Sequence, residues 1–186
     1  IYGGQLEWMK YLLDNHLHYQ NPDNGWMPGH VLPAYVNYSY QWMCQPFVIQ
    51  GAAVYVRMSK DLKWLERVYP ALRNYLKFWC AERQVKDNLF CWWGENGFDN
   101  DVSTAFFQPR TVAAVSTSSF LYMEHSAMSF IASLLKKDKD SEIFMRKSED
   151  IKREINERMW FEKLSCYANI DIRTEAPVFS LGLESN

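Results

Sequence analysis

Ten consecutive residues, Trp92-Trp93-Gly94-Glu95-Asn96-Gly97-Phe98-Asp99-Asn100-Asp101, bring together three acids, three large aromatics and two glycines. Aromatic rings stack on the apolar faces of sugars, and carboxylates bond hydroxyls or move protons, so this stretch has the chemistry of a carbohydrate site. Hydrolysing a glycosidic bond takes one carboxylic acid to protonate the leaving oxygen and a second carboxylate to activate water or attack carbon. Asp99 and Glu95 are both available, and Gly94 and Gly97 permit the tight backbone that would present them. An inverting reaction sets its two carboxyls roughly 6.5–9.5 Å apart across the sugar, so the partner acid can come from elsewhere. The same residues also have a purely structural reading. Asp99, Asn100 and Asp101 are turn-formers. Trp92 and Trp93 are neighbours whose side chains diverge, one suited to packing inward and one to facing a cleft.

Helical periodicity dominates the rest of the chain. Leu6, Met9, Leu13 and Leu17 define a first helix that ends near the turn signal Asn21-Pro22-Asp23-Asn24-Gly25. Gln45-Pro46 opens an apolar segment, Phe47 to Met58, with the proline suited to a first helical turn. Being apolar on most sides, this second helix is expected to be buried. Asp61 can cap a third helix, which Pro70 restarts or kinks before Leu72, Tyr75, Leu76 and Trp79. A fourth is expected over Ser116 to Lys137, with Ser116 to Ser119 available as caps. A fifth runs from Asp140-Ser141 through Trp160, with Phe144, Ile151, Ile155 and Met159 inward and i,i+4 pairs such as Glu149 and Arg153 outward. Only Ser165 to Ile172 offers a brief strand.

Two connections, residues 20–44 and 85–115, far exceed the roughly 2–8 residues usual between bundled helices. Both are rich in Trp, Tyr, Asn, Asp and Gly. Long loops in an economical helical array tend to carry function, so the site is expected where these two meet.

With 186 residues, 48% hydrophobic and 23% charged, the chain suits one globular domain with a substantial core. The 16% aromatic content exceeds what a core needs, since many of these residues sit beside Pro, Gly, Asn and Asp. A net charge of -2, with no basic run among the aromatics, gives no footprint for nucleic acid or an anionic membrane. No apolar run approaches the ~20 residues of a membrane span, and no signal peptide is evident. Cys44, Cys80, Cys91 and Cys166 lack metal-ligand spacing and read as free or buried thiols. His16, His18, His30 and His125 form no ligand set. Neither a metal nor a cofactor is expected.

Taken in order along the chain, these motifs resemble the (α/α)6-toroid glycoside hydrolases of family 63 and their mannosylglycerate-hydrolase-like and trehalase relatives. The hallmark of that group, approximately W-G-x-E-S/N-G-x-D-N-S-P, is similar to Trp93-Gly94-Glu95-Asn96-Gly97-Phe98-Asp99-Asn100. Gln45-Pro46 resembles its S-Q-P-P, and Gly25-Trp26-Met27-Pro28-Gly29 looks like the loop before it. Ser118 to Glu124 and Ile155 to Trp160 look like its next two helices. The resemblance implies an all-α fold that forms part of such a toroid. It implies Asp99 as general acid and a water-activating glutamate across the pocket, for which this chain holds no match. Asp101 and Val102 replace the usual Ser-Pro, and a like charge beside an acid raises its pKa.

The sequence thus predicts a partial catalytic toroid domain over 1–186, cut at both ends, that acts as an inverting α-glycoside hydrolase. Asp99 is the acid, and Trp93, Asn96, Gln45, Glu95, Trp26 and Trp92 are the sugar contacts. Its expected partners are an oligosaccharide or small glycoside and the remainder of the catalytic domain. The alternative is a non-catalytic carbohydrate-binding or scaffold α/α domain. An epimerase or lyase on the same toroid lacks its histidines in these loops.

Overall fold

The computed structural model describes residues 3–32, 35–36, 43–92 and 110–178. Among them are five α-helices: α1 (Gly3–His18), α2 (Val48–Ser59), α3 (Leu62–Arg83), α4 (Val115–Leu134) and α5 (Asp138–Arg158). The expected helices are all present, each within a few residues of its predicted bounds. Short strands punctuate them. β1 (Val31–Leu32) pairs with β2 (Tyr35–Val36), β3 (Gln84–Lys86) with β4 (Leu89–Phe90), and β6 (Trp160–Phe161) with β7 (Cys166–Tyr167), all antiparallel. A three-stranded antiparallel sheet has the order β5 (Val112–Ala113), β8 (Asn169–Asp171), β9 (Pro177–Val178). Beyond the expected Ser165 to Ile172 region these strands went unread, because two or three residues are too few to show an alternating pattern.

The junction between α2 and α3 has a local cause at both helix ends. Helix α2 stops at Lys60, whose left-handed backbone (φ 61°) lets its N–H reach the Val56 carbonyl. Asp61 then caps α3 as expected, accepting the Trp64 N–H at 3.0 Å. The Lys10 ammonium and the Tyr55 hydroxyl share the same carboxylate, which pulls α1, α2 and α3 together. Their side chains bury a core around Ile49, Leu65, Leu72, Tyr75 and Trp79, which continues into α4 and α5 through Leu121, Ile131 and Ile151.

Several expectations are corrected. Pro70 neither restarts nor interrupts α3, which runs unbroken through it. Pro46 lies before α2 rather than in its first turn, since the helix starts at Val48 with Phe47 as its N-cap. Helix α2 is not buried all round: Val54 and Met58 are exposed. None of Ser116 to Ser119 caps α4, whose N-cap is Ala114. There Asn169 supplies the cap from β8, its Oδ1 accepting the Val115 N–H at 2.8 Å. On α5 Glu149 pairs with Lys152 and Arg153 with Asp150 rather than with one another, while Glu154 and Arg158 form an i,i+4 pair at 3.6 Å. As expected, none of the four cysteines is in a disulfide among the described residues.

The first long connection is clamped to α3. Gln20 donates to the Ala71 carbonyl at 2.9 Å, and Asn74 donates to the Pro22 carbonyl at 2.9 Å. Between them Gly25 takes φ +87°, and a Cβ there would stand 2.2 Å from the Asn74 carbonyl oxygen. A side chain would therefore meet both backbone strain and a fixed neighbour. Gly25→Ala should destabilise the domain by more than about 2 kcal/mol, measured by denaturant unfolding. A variant within about 0.5 kcal/mol of the parent would show that the loop does not sit this close to α3.

Candidate functional site

The N-terminal ends of α2 and α4 lie side by side, and the described ends of both long connections arrive there. The chain leaves β4 through Cys91 and Trp92 and re-enters at Arg110. The Ala114 N–H donates to the Phe90 carbonyl at 2.8 Å, and the Phe90 N–H donates to Ser118 Oγ at 3.1 Å. The described residues on either side of this connection are therefore joined at the start of α4. The first connection returns beside it: the Cys44 N–H donates to the Met27 carbonyl, Pro28 bridges to Met43, and Gln45-Pro46 follows.

A column of aromatic rings runs from the core to this end. Trp79 meets Trp92 edge-on at 6.2 Å between centroids, Trp92 meets Phe120 at 6.5 Å, and Phe120 meets Phe47 at 4.7 Å. Exposure rises along it, from buried Trp79 through Trp92 (5%) to Phe47 (39%). The Trp92 indole N–H donates to Ser116 Oγ at 2.7 Å, fixing the ring from which the glycine-rich segment departs. Edge-to-face pairs of this kind add about 0.5–1.5 kcal/mol each beyond the area they bury.

Of the expected site residues, the structure places three. Gln45 lines a cleft of about 380 Å³ between α1 and the start of α2, together with His16, Gly29 and Phe47. Its side-chain amide has no hydrogen-bond partner among the described residues. Trp92 packs inward beside that end. Trp26 is built into the core, with its backbone N–H on Asn24 Oδ1 and its carbonyl accepting from Asn21. Trp93, Glu95, Asn96 and Asp99 lie outside the described residues.

Tyr75 and Glu124 were not singled out in the sequence as site residues. The Tyr75 hydroxyl donates to the Cys44 carbonyl at 3.0 Å and the Gln45 carbonyl at 2.5 Å, holding this turn from α3. Glu124, wholly buried on α4, accepts the Ile49 N–H at 3.1 Å and the Gln50 N–H at 3.0 Å. These are donors left over at the start of α2, whose N-cap Phe47 offers no side-chain acceptor. A signal for Glu124 was present: it falls on the apolar stripe of Leu121, Met128 and Ile131, where an acid has to be paired to be tolerated. Burial lifts Glu124 to about 7, against the opposing pull of the Gln50 and Ile49 N–H groups. Next to it, burial depresses His125 to about 4, although its ring nitrogen is held by the Leu121 carbonyl. Among the described residues no group of three or more metal-ligating side chains comes together.

Comparison with known proteins gives this geometry a context. The family model described as "Mannosylglycerate hydrolase MGH1-like glycoside hydrolase domain" matches residues 14–185. The solved alpha-L-rhamnosidase from Dictyoglumus thermophilum is similar over 87% of this chain, with 20% sequence identity and a TM-score of 0.61. This chain spans 17% of that protein's length, and the likeness is one of fold. The five helices fit part of an α/α toroid. No curated protein matches the chain.

The two shifted neighbours on α4 oppose one another in their effect on stability. Glu124 titrates above its ordinary 4.5, so the folded state holds its proton more tightly and stability falls as pH rises from 4.5 to about 7. His125 titrates below its ordinary 6.5, so its contribution rises with pH between about 4 and 6.5. Removing the first should unmask the second. Relative to the parent, Glu124→Gln should gain on the order of 3 kcal/mol between pH 5 and pH 8. Unfolding free energies at the two pH values check this, and a constant difference between the proteins would contradict it.

Proposed function

Because the chain belongs to the mannosylglycerate hydrolase MGH1-like glycoside hydrolase domain family, we propose that it supplies the general-acid half of an inverting α-glycosidase site. Asp99 is the acid. In sequence it lies between Trp92 and Arg110, and the described flank at Trp92 packs through Phe120 toward Phe47, which lines the same cleft as Gln45. The observation that carries the reading is the position of that segment's described flanks: Phe90 and Ala114 are hydrogen-bonded, and Trp92 packs through Phe120 on Phe47, which lines a cleft with Gln45. Glu95, Trp93, Asn96 and Gln45 contact the sugar, with Trp26 and Trp92 building the wall behind them.

In the reaction Asp99 gives its proton to the glycosidic oxygen as the bond to the anomeric carbon breaks. A water attacks that carbon from the opposite face and loses its proton to a glutamate supplied by the remainder of the catalytic domain. Asp101, two residues on, disfavours a second negative charge and so helps Asp99 hold its proton until it is needed.

The test uses the longest natural form of the protein on a panel of α-linked disaccharides, with the anomer released followed by proton NMR. The β-anomer should appear first, and Asp99→Asn should lower turnover by about 10²–10⁴-fold on a substrate with a poor leaving group. Release of the α-anomer would rule out inversion, and an undiminished Asp99→Asn variant would rule out Asp99. Binding without release by the parent would favour a carbohydrate-binding relative that has lost catalysis.

A further inference from the structure

Glu124 has a feature that tempts a direct catalytic role, since it is a second carboxyl close to the candidate site. The geometry excludes it. Both carboxylate oxygens are engaged, one by the Ile49 N–H and the other by the Gln50 N–H, and no part of the residue reaches solvent. A group with no exposed atom cannot touch a sugar or an attacking water. Its influence has to pass through what it holds.

What it holds is the start of α2, and from there the turn that presents Gln45. Gln50, whose N–H is held by the Glu124 carboxylate, donates its side-chain Nε2 to the Pro46 carbonyl at 3.1 Å. The Phe47 N–H donates back to the Gln45 carbonyl at 2.8 Å. Three successive carbonyls, from Cys44 to Pro46, are therefore fixed, the first two by Tyr75 and the third by the Glu124–Gln50 pair. With Phe47 offering no cap of its own, the acceptor for this helix end comes from a residue 74 positions away. We propose that Glu124 is a positioning residue for sugar binding: through Ile49, Gln50 and the Pro46 carbonyl it locks the Cys44–Phe47 turn and so holds the Gln45 amide at the cleft.

This role rests on the reading of Gln45 as a sugar contact. A clamp of this kind predicts a loss in binding rather than in chemistry. Alanine at 124 leaves two buried donors without an acceptor. Glutamine keeps the volume and one carbonyl acceptor, so its effect should be intermediate.

The experiment compares the full-length parent with Glu124→Gln, Glu124→Ala, Gln45→Ala and the double variant Glu124→Ala/Gln45→Ala on a hydrolysed α-glycoside. KM should rise about tenfold in Glu124→Ala and by less in Glu124→Gln, with kcat changed by no more than about threefold. The double variant should be no worse than Gln45→Ala, because both changes remove the same contact. Should the alanine variant fail to fold, the glutamine variant with and without Gln45→Ala gives the same comparison. Folded Glu124 variants that melt earlier yet keep the parent KM would overturn the proposal and leave Glu124 a purely structural cap. So would KM effects that multiply in the double variant. A parent that neither hydrolyses nor binds any glycoside would instead overturn the sugar reading itself, and this role with it.

Discussion

A carboxylate at zero exposure sets the terms for the rest of this structure. Stripping water from a charged carboxyl costs several kcal/mol even after relaxation, and only well-placed donors offset that. Glu124 finds them at the start of α2, where unpaired N–H groups and the helix dipole both favour negative charge. The exchange works in both directions, since the helix needs an acceptor and the acid needs donors. Because Glu124 lies midway along α4, satisfying both sets the start of α2 against that helix, with Phe47 on Phe120 one turn nearer its N-terminal end. The Gln45 turn and the Trp92–Phe120–Phe47 rings gather there, with α1 and α3 supplying the cleft's other wall and the Tyr75 tether.

The aromatic column depends on that juxtaposition. Phe47 belongs to the start of α2 and Phe120 to the first turns of α4, so their edge-to-face contact exists only when the helix ends are paired. Trp92 and Trp79 continue it into the core. The second long connection is gathered at the same place, through Phe90 to Ala114 and Ser118 and through Trp92 to Ser116. The described flanks of that connection are thereby fixed within the helical packing.

Much of this was legible in the sequence because helices declare themselves through a 3.6-residue period over many residues. Leu6, Met9, Leu13 and Leu17, or Ile151, Ile155 and Met159, need no partner to be read. The cap at Asp61 was equally local. What stayed hidden depends on distant partners. Ser116 to Ser119 look like caps, yet Asn169 takes that place, while Ser116 and Ser118 accept from Trp92 and Phe90. Pro70 looks like a break, yet α3 continues through it, with its flanks tied down by Trp64 to Asp14 and Tyr69 to Asp140. The apolar run of α2 suggested a buried helix, but Val54 and Met58 are exposed. For the candidate site, Gln45 was legible only through the family resemblance and Trp92 through its place in the aromatic-rich motif. Tyr75 and Glu124, which hold the Gln45 turn and the start of α2, act through three-dimensional contacts that no local pattern shows.

The central claim is a location: sugar binds where the N-terminal ends of α2 and α4 meet. A rival surface exists on α1, where exposed Trp8 and Tyr11 stand edge-to-face at 6.5 Å and offer rings of their own. The direct test is a crystal structure of the full-length Asp99→Asn protein with an intact α-linked disaccharide. The account predicts the sugar against Phe47 and the Gln45 amide, at the exposed end of the aromatic column. A sugar seated on Trp8 and Tyr11, with the α2–α4 end empty, would contradict it.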